Sequence, residues 1–380
     1  MDLTLPEDVA MLRDTVRNFS RDVVEKSAAR RDQTGEFPGD ILKQAAQMGL
    51  YGIKVSEQYG GTGASMLAYV TVMEELAAAC ASTAVTLAVI NLSADCVERF
   101  GTHEQKERFL IPLTRGDMVA AAFCLSEPQC GSDAAALKTT ARKDGDHYVL
   151  NGTKQWITNG AYAGFCVVFA RTREDGGSRG ISAFIVPQGT PGLRVGKEEH
   201  KMGLRSSNTV QLVLEDCRIP ASMLLGQEGQ GFEVAMNGLD GGRLGIAAQA
   251  LGLGRAALQH GVHYAKERKA FGKTLADLGA IQDFIADTAM QLDAGRLLLW
   301  RGATLLDAGK RVTKEASMAK VFSTEAAWRA ADRMLQVHGG YGYVEDFPIE
   351  RIYRDVRVTR IYEGASEIQR VVIGRAVTGP

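Results

Sequence analysis

Cysteine is too sparse and too scattered in this chain to staple it. The six cysteines, Cys80, Cys96, Cys124, Cys130, Cys166 and Cys217, form no C-x-x-C pair. Their spacings suit neither a zinc site nor an iron–sulfur cluster. In a chain of 380 residues this usage reads as free thiols in a reduced compartment. Charge of one sign is missing too. With 44 basic and 45 acidic residues the formal net charge is −1, which argues against a dedicated nucleic-acid binder and its basic stripe. A local basic patch for a phosphorylated ligand is not excluded. No uninterrupted apolar run reaches membrane-spanning length. The opening Met1-Asp2-Leu3-Thr4-Leu5-Pro6-Glu7-Asp8 lacks a cationic n-region and an apolar h-region. These absences predict a cytoplasmic protein of a bacterium, or a mitochondrial-matrix protein if the sequence is a processed eukaryotic form. Tandem repeats and low-complexity tracts are absent as well.

What is present is a long chain with two changes of periodicity. Its length predicts two or three domains. Helical spacing dominates first: from Leu5 to about Ala29, from Gly39 to Met48, from Met66 to Ala79, from Ser82 to Phe100 and from Thr102 to Thr114. Tyr59-Gly60-Gly61-Thr62-Gly63 is a loop between them. Near Met118 the pattern turns to alternation and β-branched residues. Asp144-Gly145-Asp146 and Asn151-Gly152 bracket a short strand at His147 to Leu150. Phe165 to Arg171, Ile181 to Val186 and Thr209 to Leu214 are further strands. After Gly229-Gln230-Gly231 helical spacing returns, over Phe232 to Lys266, Leu278 to Ala308, Val312 to His338 and Glu367 to Val377, with few prolines to interrupt it. The reading is an α+β multidomain chain: an all-α unit at 1–117, a β-barrel-like unit at 118–228 and a four-helix bundle at 229–380.

Several stretches carry more polar or glycine-rich chemistry than packing needs. Arg360-Ile361-Tyr362-Glu363-Gly364-Ala365-Ser366-Glu367-Ile368-Gln369-Arg370 sets an acid beside a glycine after an apolar run. Ser366 and Gln369 have capping-box spacing, so a helix is expected to start there, leaving Glu363 in a break between helices. Most glutamates near a helix start are merely solvated or favour the helix dipole. Gly364 lets a ligand approach the backbone. In Gly238-Leu239-Asp240-Gly241-Gly242-Arg243, two adjacent glycines inside a helix cost roughly a kcal/mol each relative to alanine. That cost suggests close approach of a ligand or another backbone. Gln155-Trp156-Ile157-Thr158-Asn159-Gly160 puts tryptophan on a strand, where it is usually core. Phe123-Cys124-Leu125-Ser126-Glu127-Pro128-Gln129-Cys130-Gly131-Ser132-Asp133 reads as a strand and a turn. Glu267-Arg268-Lys269-Ala270-Phe271-Gly272-Lys273 reads as a helix end, and Gln336-Val337-His338-Gly339-Gly340-Tyr341-Gly342 as a helix C-cap.

Two other patterns carry no site. Gly252-Leu253-Gly254-Arg255-Ala256-Ala257 matches G-x-G-x-x-A but lies inside a helical run and follows no strand, the context a dinucleotide fingerprint requires. His260, His263 and Glu267 share a helix face, but metal ligation needs a third good ligand in an enclosed site, and no metal is expected.

Taken in order, the stretches around Glu363, Phe123, Trp156, Asp240, Arg268 and Gln336 resemble the motifs of the acyl-CoA dehydrogenases over nearly the whole chain. The closest resemblance is to short-chain and butyryl-CoA enzymes. It implies that Glu363 abstracts the α-proton of a short linear, branched or cyclic acyl-CoA while a hydride passes from Cβ to flavin N5 of FAD. Ser132, Asp240, Gly241, Gly242, Arg243 and Gly364 would then meet the substrate. Phe123, Leu125, Ser126, Gly131 and Ser132, then Trp156, Ile157 and Thr158, would meet the flavin. Arg268, Phe271 and Gln282, with Gln336, Val337, Gly339 and Gly340, would bind FAD across a dimer interface. Ala365, Ser366 and Glu367 would complete the cofactor contacts. His338 receives no catalytic role.

The chain departs from the family pattern at Gln129 and Cys130, where two small residues are usual, and at Ala365, where threonine is common. The resemblance further implies a homotetramer, built as a dimer of dimers, that passes electrons to an electron-transferring flavoprotein. A bulky polar side chain at Asn237 would shorten the acyl pocket. The alternatives are an oxidase or decarboxylating dehydrogenase on the same fold, or a non-catalytic acyl-CoA-binding member.

Overall fold

The computed structural model describes residues 4–379. Met1-Asp2-Leu3, part of the opening read above for a leader, and Pro380 lie outside them. Six helices come first: α1 (Glu7–Phe19), α2 (Glu25–Thr34), α3 (Gly39–Gln47), α4 (Met66–Ala79), α5 (Ala81–Phe100) and α6 (His103–Thr114). The first expected helix is longer than its spacing suggests. A π-helical turn at Ser20–Val24 joins α1 to α2 and carries the rod to Thr34. The expected pattern crosses the wider turn and stops at about Ala29, because Arg30-Arg31-Asp32-Gln33-Thr34 offers no apolar spacing to read. Helix α6 opens on a capping box between Thr102 and Gln105.

Helix α4 is buried almost all round and still carries two adjacent acids. Glu74 pairs with Arg296 at 2.8 Å, and Glu75 pairs with Arg17 and Arg255, each at 2.8 Å. These bridges fix α4 against helices from both ends of the chain.

Strands β1 (Ala120–Cys124), β2 (Thr140–Asp144), β3 (His147–Thr158), β4 (Ala163–Arg171), β5 (Ile181–Pro187), β6 (Leu193–Glu198), β7 (Thr209–Pro220) and β8 (Leu224–Leu225) follow. They form one sheet in the order β6-β7-β3-β2-β4-β5-β8, with β1 parallel to β4. This corrects the barrel-like expectation. A barrel needs its end strands to pair, but β6 pairs only with β7, and β8 is two residues long and pairs only with β5. The sheet stays open. Helices α5 and the next long helix cover it instead of a closing strand.

The expected Asn151-Gly152 turn is also absent. β3 runs straight through it to Thr158, and the register with β7 slips between Leu150 and Gly152. Gly152 sits at φ 152°, and a Cβ there would lie 2.4 Å from Thr139 Oγ1. The dipeptide marks a bulge, not a reversal.

Helix α7 (Gly231–Glu267) comes next, followed by a small hairpin of β9 (Lys269–Ala270) and β10 (Lys273–Thr274). Then come α8 (Gly279–Asp307), α9 (Thr313–His338), α10 (Ile349–Val356) and α11 (Ser366–Thr378). Helices α7, α8 and α9 pack on one another. α4 joins them, α10 packs on α7 and α9, and α11 lies chiefly against α9. One hydrophobic core runs from the first helices through the sheet to α7, and a second joins α7, α9 and α10. Among the described residues, no helix is long and apolar enough to cross a membrane.

Candidate active site

Glu363 occupies the turn between a 3₁₀ segment (Arg357–Arg360) and α11. Its φ is 53° and that of Gly364 is 89°, so two successive left-handed residues reverse the chain. Glycine adopts this backbone freely, but glutamate does not, so the turn must be held from outside. Gln369 Nε2 donates to the carbonyls of Glu363 (3.1 Å) and Gly364 (3.0 Å), and Lys320 Nζ donates to the Gly364 carbonyl at 2.8 Å. A Cβ at position 364 would stand 2.3 Å from Gln369 Nε2, so this contact needs the glycine.

The capping box expected between Ser366 and Gln369 does not form. Ser366 is the first helical residue, and its hydroxyl donates to Glu325 at 3.0 Å. The N-cap is Ala365, which has no side-chain acceptor. Gln369 is spent on the turn instead.

The Glu363 side chain keeps part of its surface, but its Oε2 is buried without a hydrogen-bond partner. Burial pushes the carboxyl up to about 7, against the opposing pull of Arg243 and Lys320. It faces the glycine stretch of α7, where a Cβ on Gly242 would lie 2.9 Å from its Oε2. Neighbouring glycines hollow the same side of the helix. A Cβ on Gly245 would meet the Tyr69 hydroxyl at 2.7 Å, and one on Gly238 would meet Leu92 at 3.0 Å, Cys96 at 3.2 Å and Phe123 at 3.9 Å.

The adjacent charges are tied down. Asp240 accepts from Arg243 at 2.7 Å and from the Thr313 hydroxyl at 2.7 Å, while Arg243 Nε is buried and unpartnered. Asn237, expected at the deep end of a pocket, is exposed, and its amide donates to the Glu233 carbonyl one turn back. Leu92 and Cys96 of α5 stand beside the α7 glycines in its place.

Phe123, Leu125 and Ser126 leave β1 half-buried or buried, whereas Gly131 and Ser132 are exposed at the loop tip. The loop is organised by Glu127, a buried acid with no local signal to mark it. Its carboxylate accepts from Lys154 Nζ (2.7 Å), the Lys138 and Thr139 amides (2.6 and 2.9 Å) and Gln129 (2.6 Å). Lys154, wholly buried on β3, also donates to the Leu125 carbonyl. Burial alone would raise the Glu127 carboxyl, but Lys154 and the amides hold it down at about 2. A pair separated by 27 residues has no local signature.

Two residues beyond Lys154, Trp156 stands outside the core, where a strand tryptophan is usually found. It has φ 61° and is 60% exposed, at a second slip in the β3–β7 register between Lys154 and Ile157. The bulge turns the indole outward, Ile157 stays buried and Thr158 is half-buried.

A second concavity lies elsewhere on the chain. Arg268, Gln336, Val337, Gly339 and Gly340 line a cleft of about 660 Å³ with Tyr264, Leu275 and Tyr341, and none of the groups around Glu363 takes part. Cβ atoms on Gly339 and Gly340 would meet nothing within 4 Å. Phe271 and Gly272 form the tip of the β9–β10 hairpin, both with positive φ. Phe271 is 91% exposed, an unusual position for so large an apolar ring. Gln282 is exposed and bonded to the Ala276 carbonyl, and Glu367 is exposed on α11.

His338 is buried, bonded to the Met334 carbonyl and stacked on Tyr264 with ring centroids 4.4 Å apart. The glycines at 252 and 254 serve helix packing: a Cβ at Gly252 would lie 2.3 Å from the Glu74 carbonyl. His263 pairs with Glu267 at 3.4 Å in solvent. Among the described residues, no group of three His, Cys, Asp or Glu could hold a metal ion. All six cysteines are free and buried.

Known proteins share this architecture. Family models described as acyl-CoA dehydrogenase N-terminal, middle and C-terminal domains match residues 6–117, 122–217 and 229–378. The mitochondrial short-chain specific acyl-CoA dehydrogenase of Bos taurus is 50% identical over 370 residues, covering 97% of this chain and 90% of that protein. The acryloyl-CoA reductase (NADH) of Anaerotignum propionicum is 45% identical over 379 residues, covering 99% of this chain and 96% of that protein. The solved butyryl-CoA dehydrogenase of Megasphaera elsdenii superposes with a TM-score of 0.97 at 40% identity, covering all of both chains.

Proposed function

This chain belongs to the acyl-CoA dehydrogenase family, FAD-dependent oxidoreductases acting on CH–CH groups, and we propose that Glu363 is its base in the α,β-dehydrogenation of a short-chain acyl-CoA. One observation carries the proposal: a carboxylate oxygen that is buried, unpartnered and turned toward a helix face stripped of side chains. A desolvated acid with a proton affinity matched to neutral pH suits α-proton abstraction.

The residues present fit the cofactor. Trp156 and Phe271 expose aromatic faces, and the cleft at Arg268 and Gln336 has open glycines and an arginine whose fork suits a pyrophosphate. When bound, FAD supplies the acceptor for the hydride that leaves Cβ. The chain does the rest. Gly241 and Gly242 leave room for the thioester beside Glu363. The Glu363 backbone N–H polarises its carbonyl, which stabilises the enolate charge as the α-proton departs. Trp156 and the 126–133 loop, held by Glu127 and Lys154, wall off water. Ser132 at the loop tip meets the CoA portion.

Leu92 and Cys96 beside Gly238 support a short acyl group. Because the Arg268 cleft stands apart from Glu363, we assign Arg268, Phe271, Gln282 and Gln336 to a neighbouring subunit's cofactor, within a homotetramer. An electron-transferring flavoprotein is the proposed acceptor, and the bacterial cytoplasm or mitochondrial matrix the proposed location. The functional units follow the divisions 1–117, 118–228 and 229–380. The named activity of the Anaerotignum relative favours one second reading, reduction of an enoyl-CoA in the reverse direction.

The test is the visible spectrum of the purified protein, recorded anaerobically with a panel of acyl-CoAs. Flavin bleaching is expected, fastest with a short acyl group. A flavin that no acyl-CoA bleaches would overturn the dehydrogenase reading, and bleaching only by NADH would favour the reductase.

A further inference from the structure

We propose that Lys320 and Gln369 are positioning residues that clamp the left-handed turn at Glu363 and Gly364, with the buried ammonium of Lys320 serving as the charge against which Glu363 ionises. This rests on the reading of Glu363 as the base.

The clamp is complete on its acceptor side. Both lone pairs of the Gly364 carbonyl are taken, by Lys320 Nζ at 2.8 Å and Gln369 Nε2 at 3.0 Å. The second Gln369 amide hydrogen goes to the Glu363 carbonyl at 3.1 Å. With two carbonyls against one nitrogen, the amide has a single orientation: a flip would set oxygen against oxygen. The cost is visible too, because Gln369 Oε1 is buried with no partner. Lys320 comes from α9 and Gln369 from α11, so two helices fix the backbone of one turn. A left-handed glutamate stays put only where its surroundings over-determine it.

Lys320 is costly for a mere strut. Its side chain is fully buried, and among the described residues it makes no ion pair. Its one hydrogen bond goes to a neutral carbonyl, which compensates a buried ammonium poorly. Burial accordingly lowers it to about 8, and Glu363 is the foremost charge holding it up. The relation is reciprocal, since Lys320 favours the ionised form of Glu363.

Other charged and titratable groups face the pair. Helix α7 brings Arg243, already paired with Asp240. Helix α4 brings Tyr69, raised by burial and then by Glu363, and α5 brings Cys96, raised by burial and then by Asp95, which is itself paired with Lys54 and Arg99. The neighbouring Tyr362 donates to Gln249. Glu325 on α9 is bridged by Arg360 and Arg370, and Glu367 is exposed. Lys320 is the cation in this set with no anion in contact.

The test uses the FAD-loaded enzyme and four variants: Lys320→Met, Lys320→Arg, Lys320→Gln and Gln369→Leu. Lys320→Met is expected to lower kcat about 10²-fold, the scale for a misplaced catalytic group, with KM and flavin content nearly unchanged. It should also move the acid limb of kcat/KM to higher pH, because a removed positive charge raises the proton affinity of Glu363. Lys320→Arg should return the limb toward its wild-type position. Lys320→Gln keeps a donor without charge, so it should recover kcat more than the limb. Gln369→Leu, a neutral change, should lower kcat and leave the limb in place.

Infrared titration of the carboxylic C=O band that vanishes in Glu363→Gln reads the same ionisation without turnover, so it answers even if Glu363 is not the base. An unmoved titration in Lys320→Met overturns the charge role. Wild-type kcat in both Lys320→Met and Gln369→Leu overturns the clamp. If Lys320→Met fails to fold, the Arg and Gln variants decide the charge role, which the same titration in both would overturn, and Gln369→Leu decides the clamp, which wild-type kcat in that variant would overturn.

Discussion

The Cβ that Gly242 lacks would stand 2.9 Å from Oε2 of Glu363. Helix α7 and the turn before α11 therefore meet at one missing methyl. Gly242→Ala should separate stability from activity. Alanine gains roughly 1 kcal/mol of helix propensity over glycine, and the group it displaces is the tip of a flexible side chain. The melting temperature should hold or rise while turnover falls. Equal turnover in the variant and the wild type would show that the carboxylate is not needed where it stands.

Glu363→Gln should lower turnover by about 10²–10⁴-fold while FAD remains bound. In the wild type, kcat/KM should rise with pH along a limb near 7, where the raised carboxyl ionises. The stability consequence has the opposite sense. A carboxyl whose folded pKa is raised contributes its stability below the unfolded pKa and loses it as pH rises through about 7. Melting curves should therefore show Glu363→Gln gaining on the wild type between pH 5 and 8, taken as a rough working window for a carboxyl titrating near 7. A wild-type limb near 4.5, the ordinary glutamate value, would contradict the desolvation argument.

Lys154→Met should be among the more damaging substitutions in the sheet. It strands the buried Glu127 carboxylate, a loss of about 3–5 kcal/mol. The double change Glu127→Gln with Lys154→Met should recover much of it, since no uncompensated charge remains. Denaturant melts of the three proteins, with flavin affinity by fluorescence, test this. A double variant no better than the single would place the damage in packing instead.

Arg268 is predicted to serve a neighbour's cofactor. Arg268→Ala should weaken FAD binding by about 1.5–3 kcal/mol, the range for hydrogen bonds to charged groups. Co-expression with Glu363→Gln distinguishes the geometry. If Arg268 acts across an interface, a mixed dimer pairs the intact base of one subunit with the intact arginine of the other, and activity returns. No recovery would place Arg268 in its own subunit's site.

Much of this protein was legible in its sequence because the governing signals are local. The helices α4, α8 and α9 follow from apolar spacing that needs no partner to be seen. The glycine pair at Gly241 and Gly242, costly in any helix, marked a place of close approach, and at Gly242 the group that approaches is the Glu363 side chain and not a backbone. The ordered stretches from Phe123 to Gly364 carried the family. Tertiary structure decided what depends on pairing between distant residues. Whether a sheet closes is set by its end strands, and here β8 pairs with β5 and β6 with β7, but β8 and β6 do not pair with each other. Whether Asn151-Gly152 turns or bulges depends on β7 running alongside. Trp156 faces outward because a slip in the β3–β7 register turns its indole away from the core. Ser366 and Gln369 had the spacing of a cap, but Glu325 and the carbonyls of the Glu363 turn competed for them and won. The lysine beneath that turn and the buried pair of Glu127 and Lys154 had no sequence signature, because a buried charge is defined by what surrounds it, and its surroundings come from elsewhere in the chain.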